Sequence, residues 1–292
     1  MLNFRYASIE DKEWISPMFK NSCYLGADFC FGSLFIWQEI YKSKICKDDD
    51  FLYRIYDDDE TLYAFPIGTG DYSKALKVLI QDAKDRNIPF KMFGVTDKMK
   101  KILDTIMPNK FKFELRRDMS DYIYNSEDLI FLQGKKYHSK RNHISKFKKM
   151  YNWNYHDINR DNLDLCKEFF YKWFLLNKDK NVDSEKIALK KALNYYFDLE
   201  LIGGYLEVDN QIAAITIGEQ INSEIFDIHF EKALLEYSGS YPTINQEFAK
   251  RNLSNYKYIN REEDIGIEGL RKSKLSYNPA FLLDRYNAYL EI

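Results

Sequence analysis

The stretch Glu224-Ile-Phe-Asp-Ile-His-Phe-Glu-Lys232 alternates polar and apolar side chains. On a strand that period of two puts Asp227, His229 and Glu231 on one face and Ile228 and Phe230 on the other. Three titratable groups in a row could supply a general base. A solvated face of an edge strand would read the same way. Next comes Tyr237-Ser-Gly-Ser-Tyr-Pro242, a small loop running into a helix. Backbone N–H groups and the helix dipole at such a start favour an anion.

The densest stretch is Asn260-Arg-Glu-Glu-Asp-Ile-Gly-Ile-Glu-Gly-Leu-Arg-Lys-Ser-Lys-Leu-Ser-Tyr-Asn-Pro279. Arg271 and Lys274 are three apart, share a helix face, and could clamp a phosphate or carboxylate. Asp264 sits just ahead, with Gly266 and Gly269 nearby. The plainer reading is a salt bridge from Glu262 or Asp264 to Arg271. A third feature is the segment 135–149, with Lys135, Lys136, Lys140, Arg141, Lys146, Lys148 and Lys149 and no acid. Tyr137, His138, Asn142 and His143 interleave with the charges. The pattern suits nucleic-acid phosphates, and it also suits a solvated helix face.

Several chemistries are excluded or weak. Gly68-Thr-Gly70 has Ser73 where a dinucleotide loop needs its third glycine, and no acid follows at the right distance. There is no P-loop and no G-x-S-x-G elbow. Cys23, Cys30, Cys46 and Cys166 form no C-x-x-C pair, so no structural zinc or other metal site is expected. The net charge of −2 means that any nucleic-acid role must come from a local patch. No apolar run approaches the ~18–20 residues of a membrane helix. The N-terminus carries Glu10, Asp11 and Glu13 and lacks the apolar core of a signal peptide. The expected location is the cytoplasm, with reduced thiols.

These residues need a scaffold, and 292 residues suit two domains. Phe51–Tyr56 and Thr61–Phe65 read as a hairpin around Asp57-Asp58-Asp59-Glu60. Asp71 should cap a helix burying Leu76, Leu79, Ile80 and Ala83, followed by a strand over Phe90–Val95. The basic segment keeps helical spacing at Ile144, Phe147 and Tyr151. Asp161 should cap a helix with Leu163, Cys166, Phe169, Phe170 and Trp173 on its apolar face. Asp183 or Ser184 should cap the next, with Leu189, Leu193, Tyr196 and Phe197.

Strands are expected at Tyr205–Val208, Ile212–Glu219, Glu224–Phe230, Tyr256–Asn260 and Phe281–Leu290. Helices are expected from Pro242 to Asn252 and over Glu268–Lys274. The order gives an α/β (α+β) class with mixed sheets flanked by helices. The division is drawn at 1–134 and 135–292. The aromatic share of 16% divides into core positions on these helices and a tyrosine set, Tyr237, Tyr241 and Tyr277, inside the motifs.

The motifs resemble a known family. Asp121-Tyr-Ile-Tyr124, Lys135-Lys-Tyr-His-Ser-Lys-Arg-Asn-His-Ile144 with Phe147, His229-Phe-Glu-Lys-Ala233, Gly239-Ser-Tyr-Pro-Thr-Ile-Asn245 and the 260–279 phrase resemble the soluble C-terminal domain of phosphatidylglycerol lysyltransferase. The likeness runs from about residue 20 to 285, and the last phrase is its most specific part. It implies a tandem pair of GNAT-type acyltransferase folds, akin to the Fem-type peptidoglycan aminoacyltransferases. The best-known members move an aminoacyl group from tRNA to a lipid or peptide amine or hydroxyl. The lysyltransferase carries a membrane-embedded domain ahead of the soluble one, and no such domain is expected here.

Such an enzyme needs donor-phosphate contacts, a polarised carbonyl and a proton acceptor. For the phosphates of CoA or a tRNA 3′ end the resemblance implies Gly239, Ser240, Tyr241, Asn245, Arg271, Lys274 and Tyr277. A backbone N–H near residues 229–232 would polarise the carbonyl. Glu231, Asp227 or Asp264 would take the proton. Lys135, Lys136, Lys140 and Arg141 would meet tRNA, and the first half would be structural or acceptor-binding. The expected activity is transfer from aminoacyl-tRNA to a small-molecule, peptide or lipid-headgroup acceptor. The alternatives are an acyl-CoA N-acyltransferase and a non-catalytic binding protein on the same scaffold.

Overall fold

The computed structural model describes residues 1–48, 50–177 and 183–291. In chain order they form α1 (Lys12–Ser22), α2 (Phe31–Trp37), β1 (Ser43–Asp48), β2 (Phe51–Asp57), β3 (Thr61–Tyr63), β4 (Ile67–Gly68), α3 (Tyr72–Asp85), β5 (Lys91–Val95), α4 (Asp97–Ile106) and β6 (Phe111–Leu115). There follow β7 (Asp121–Asn125), α5 (Ser126–Phe131), α6 (His138–Met150), β8 (Trp153–Asp157), α7 (Leu163–Leu176), α8 (Asp183–Asn194) and β9 (Ile202–Val208). The chain continues through β10 (Gln211–Asn222), β11 (Ile225–Ala233), α9 (Ser240–Asn252), β12 (Tyr258–Asn260), α10 (Glu268–Leu275), β13 (Phe281–Leu283) and β14 (Tyr286–Leu290). Among the described residues no helix is long and apolar enough to cross a membrane.

The chain divides into two units. The first holds Met1–Asp121, Glu263–Arg271 and the residues from Leu282 onward. The second holds Tyr122–Glu262 and Lys272–Phe281. The sequence reading drew one boundary after Gly134. Residues 122–134 lie instead with the second unit, because β7 pairs with β12 through Tyr124 and Ile259.

The first unit's sheet has the order β1-β2-β3-β5-β14-β6, with β4 beside β2. The expected hairpin is β2 and β3, with Ile55 opposite Tyr63. The Asp71 carboxylate accepts the Ser73 N–H at 2.8 Å and caps α3, whose Leu76, Leu79 and Ala83 are buried. β3 and β5 run parallel, so the sheet is mixed.

One expected strand, Phe281–Leu290, is two. β13 joins the other sheet and β14 runs between β5 and β6, antiparallel to both. The break falls at Asp284-Arg285. Arg285 is buried and donates to Asp28 Oδ1 (2.5 Å), Asp121 Oδ2 (3.0 Å) and the Gly94 carbonyl (3.1 Å). A guanidinium so engaged fixes the backbone around it, and a straight ten-residue strand cannot accommodate that.

The second unit's sheet has the order β13-β7-β12-β11-β10-β9-β8. β11 and β12 run parallel, while β10 is antiparallel to β9 and β11. Phe147 of α6 and Ile244 of α9 pack on Leu206, Val208, Ala213, Ala214 and Ala233 of the sheet. The apolar face read for α7 is buried, and Trp173 Nε1 donates to the Ala233 carbonyl at 3.2 Å. Asn162 stands at the cap position expected for Asp161. Its side-chain oxygen accepts the Asn159 N–H instead. The fold class, two mixed sheets flanked by helices, is as the sequence indicated.

Gly239 starts α9 at φ +91°. A Cβ there would stand 2.6 Å from the His143 carbonyl oxygen and 3.1 Å from Phe147 Cβ. The glycine therefore lets α6 pack close. Gly239→Ala is expected to lower stability by about 2 kcal/mol, combining left-handed strain with overpacking. Denaturant melts of the two proteins check this.

Candidate active site

β11 departs from simple alternation. Ile217 of β10 faces Phe230, yet the next residue, Gly218, faces Ile228. His229 is thus an extra residue, a one-residue bulge of the kind that re-aims side chains. Asp227 lies opposite Glu219, and Glu231 lies opposite Thr216. Thr216 and Glu219 are three apart on β10 and point to opposite faces. The single row expected from the sequence is therefore split. Asp227 and His229 share one face and Glu231 lies on the other.

β12 serves both faces. It pairs with β11 only through Tyr258–Asn260 against Ile225–Asp227. The next two residues, Arg261 and Glu262, reach the two sides in turn. Arg261 goes to Glu231 and Glu262 to His229. Lys274 is buried and donates to the Arg261 carbonyl, which anchors this turn of chain.

The first cluster is acid-rich. His229 Nε2 stands 2.9 Å from Glu219 Oε1. Its Nδ1 stands 3.1 Å from both Asp227 Oδ2 and Glu262 Oε1. Carboxylate oxygens at both ring nitrogens suit a ring that donates from both. Burial, and then the nearby Asp227 charge, push the Glu262 carboxyl from 4.5 up to about 7, against the pull of His229 and Lys274. Glu262 also holds φ +57°, a left-handed conformation that a side chain with a Cβ rarely adopts. The Asn260 carboxamide oxygen accepts the Glu262 N–H at 2.7 Å and helps hold that turn.

The second cluster is basic overall. Arg261 Nη2 donates to Glu231 Oε1 at 2.8 Å, and Asn245 Nδ2 donates to Glu231 Oε2 at 3.0 Å. The Arg261 guanidinium lies 4.7 Å from the centre of the Tyr277 ring, and Lys140 Nζ lies 3.7 Å from it. Lys140 also donates to Ser276 Oγ at 2.7 Å. Burial, and then the Arg261 charge, bring the Lys140 ammonium from 10.5 down to about 8, although Glu231 opposes the shift. Arg261 Nη1, Asn245 Oδ1 and Thr216 Oγ1 are buried and make no hydrogen bond.

The other residues singled out from sequence have these places. In the first unit Asp264 is fully buried. Arg271 grips it bidentately at 2.8 and 2.9 Å, Arg117 adds a contact at 3.2 Å, and the Gly266 N–H donates to it. In the second unit Ser240 is buried at the start of α9, and Tyr241 packs on the α6–α9 core. Tyr277 accepts the Tyr137 hydroxyl at its carbonyl, 2.9 Å away. Lys135 is exposed and Lys136 pairs with Asp128 at 3.5 Å. Arg141 donates to the Leu132 and Gly134 carbonyls after α5.

Sequence reasoning gave no catalytic or binding role to Glu262, Arg261, Glu219 or Thr216. A signal was present for two of them, since Arg261 and Glu262 head the densest charged phrase. Glu219 and Thr216 lie on a neighbouring strand, and only the register reveals them.

The sequence family described as phosphatidylglycerol lysyltransferase, C-terminal, matches residues 24–289. The crystal structure of a conserved protein of unknown function from Bacteroides thetaiotaomicron is 38% identical, with a TM-score of 0.94 over 100% of both chains. The C-terminal domain of a putative lysylphosphatidylglycerol synthetase from Agrobacterium fabrum has the same fold at 12% identity. Its TM-score is 0.70, over 97% of this chain and 92% of that one. An uncharacterised protein of Mycoplasmoides gallisepticum is 28% identical over 186 residues, 61% of this chain and 59% of that protein.

Proposed function

Because the chain belongs to the phosphatidylglycerol lysyltransferase C-terminal family, we propose that it transfers an aminoacyl group from aminoacyl-tRNA to an amine or hydroxyl acceptor in its second unit. The observation that carries the reading is Glu262, a half-buried carboxyl pushed up to about 7 and standing 3.1 Å from His229, whose ring Asp227 and Glu219 also contact. A base that works near pH 7 needs this affinity. Glu231 and Asp264 are held by arginines, so the proton acceptor is assigned to Glu262. Asp227 and His229 position it.

In the step, the acceptor nitrogen or oxygen attacks the ester carbonyl and gives its proton to Glu262. The tetrahedral oxyanion forms, the bond to the ribose oxygen breaks, and that oxygen leaves with the proton that Glu262 returns. The Gly239–Ser240 start of α9 is the proposed berth for a donor phosphate. Exposed Lys135, Lys146 and Lys149 are the proposed tRNA contacts.

The test mixes the protein with labelled aminoacyl-tRNA and, separately, with acetyl-CoA, and offers each a panel of amines and glycerol-headgroup acceptors. The expected result is tRNA binding that weakens as salt rises, together with label in an acceptor. CoA binding with no tRNA affinity even at low salt would sink the aminoacyl reading in favour of acyl-CoA transfer.

A further inference from the structure

We infer that Lys140, Arg261 and Thr216 form a subsite for an oxyanion, a phosphate or carboxylate group carried by one of the ligands. It rests on the transfer reading only for what the oxyanion is attached to.

The first argument is charge. Lys140 and Arg261 flank Tyr277 against a single carboxylate, Glu231. That pairing satisfies Arg261 and leaves one positive charge over. Burial first, and then the Arg261 charge, hold the ammonium down to about 8, with Glu231 opposing the shift. The second argument is the free valences. Arg261 Nη1 is a buried donor without an acceptor, and the Thr216 hydroxyl is buried without a partner. Leaving such donors bare is costly, and the oxygens of a bound oxyanion would answer both. The third argument is position. All three residues gather on the Glu231 face of the parallel strand pair, and Lys140 is half-buried.

Sulfate is the first probe, because it does not titrate near pH 8. Calorimetry at pH 8 in buffers of different ionisation enthalpy counts the protons taken up on binding. An anion that restores the Lys140 charge should draw up to about half a proton per site. Lys140→Met should weaken sulfate binding roughly tenfold and abolish the uptake. Lys140→Arg, which stays charged, should bind sulfate without uptake. Glycerol 3-phosphate, the dinucleotide CpA and succinate then show whether lipid headgroup, nucleic-acid end or carboxylate fits best.

Binding and uptake that are the same in wild type and Lys140→Met would overturn the subsite, as would no sulfate binding at low salt. Glu262→Gln should bind sulfate like wild type. A failed transfer assay with intact sulfate binding would therefore count against the proposed reaction and not against the subsite.

Discussion

Glu262→Gln folds and loses transfer by about 10²–10⁴-fold, the span of one well-placed proton acceptor. The amide keeps the shape and the contact with His229 but cannot take a proton. In the wild type, activity should rise with pH through about 7 as Glu262 ionises, and this limb should vanish in the variant. Stability should move the other way. A carboxyl raised from 4.5 to about 7 binds its proton more tightly when folded than when unfolded. It therefore costs nothing below about 4.5, and its penalty grows from there to about 7 and then stays constant. Desolvation of the carboxylate sets most of the size, Asp227 adds to it, and His229 and Lys274 reduce it. The variant is spared the penalty, so its melting temperature should match the wild type at pH 4.5 and exceed it at pH 8. A variant with full activity and an unchanged pH profile would remove Glu262 from the chemistry.

Arg261→Met should destabilise the second unit by roughly 3–5 kcal/mol. The Arg261 and Glu231 side chains are 11% and 9% exposed. Removing the guanidinium leaves a buried carboxylate supported by little more than the Asn245 amide. The charge pair itself need not be strongly stabilising, since desolvation offsets much of the attraction. The double variant Arg261→Met/Glu231→Leu should therefore be more stable than the single one. Urea melts at pH 7 separate the two costs. Singles and double that fall by additive amounts would show that the residues do not act as a pair.

The helices were legible because their apolar spacing is local. Leu76, Leu79 and Ala83, and the Leu163–Trp173 face, needed only a period of 3.6. The candidate site was legible as a neighbourhood, for the 260–279 phrase does contain Arg261 and Glu262. Their partners were not. His229 reads as an ordinary step in an alternating strand, and nothing in Phe226–Phe230 announces that it is the extra residue. A bulge is set by pairing with β10, so a reader of one strand sees the wrong faces. The same holds for Arg271. Its spacing to Lys274 suggests a shared clamp, while the loop turn at Gly266 brings Asp264 to the guanidinium first. Arg285 shows the limit at the level of strands, because the acids that bend the chain there, Asp28 and Asp121, are far away in sequence.

The placing of β14 has a consequence for how the protein is made. β14 lies between β5 and β6, so β6 at the sheet's edge has no neighbour to join until Tyr286–Leu290 has been synthesised. The amino-terminal unit cannot finish folding on the ribosome ahead of its neighbour, as the first domain of a tandem chain ordinarily does. While the second unit is being translated, the edges of β5 and β6 wait unpaired, open to strands of other chains. The strand that completes the first unit is thus translated after all the strands at the centre of the second.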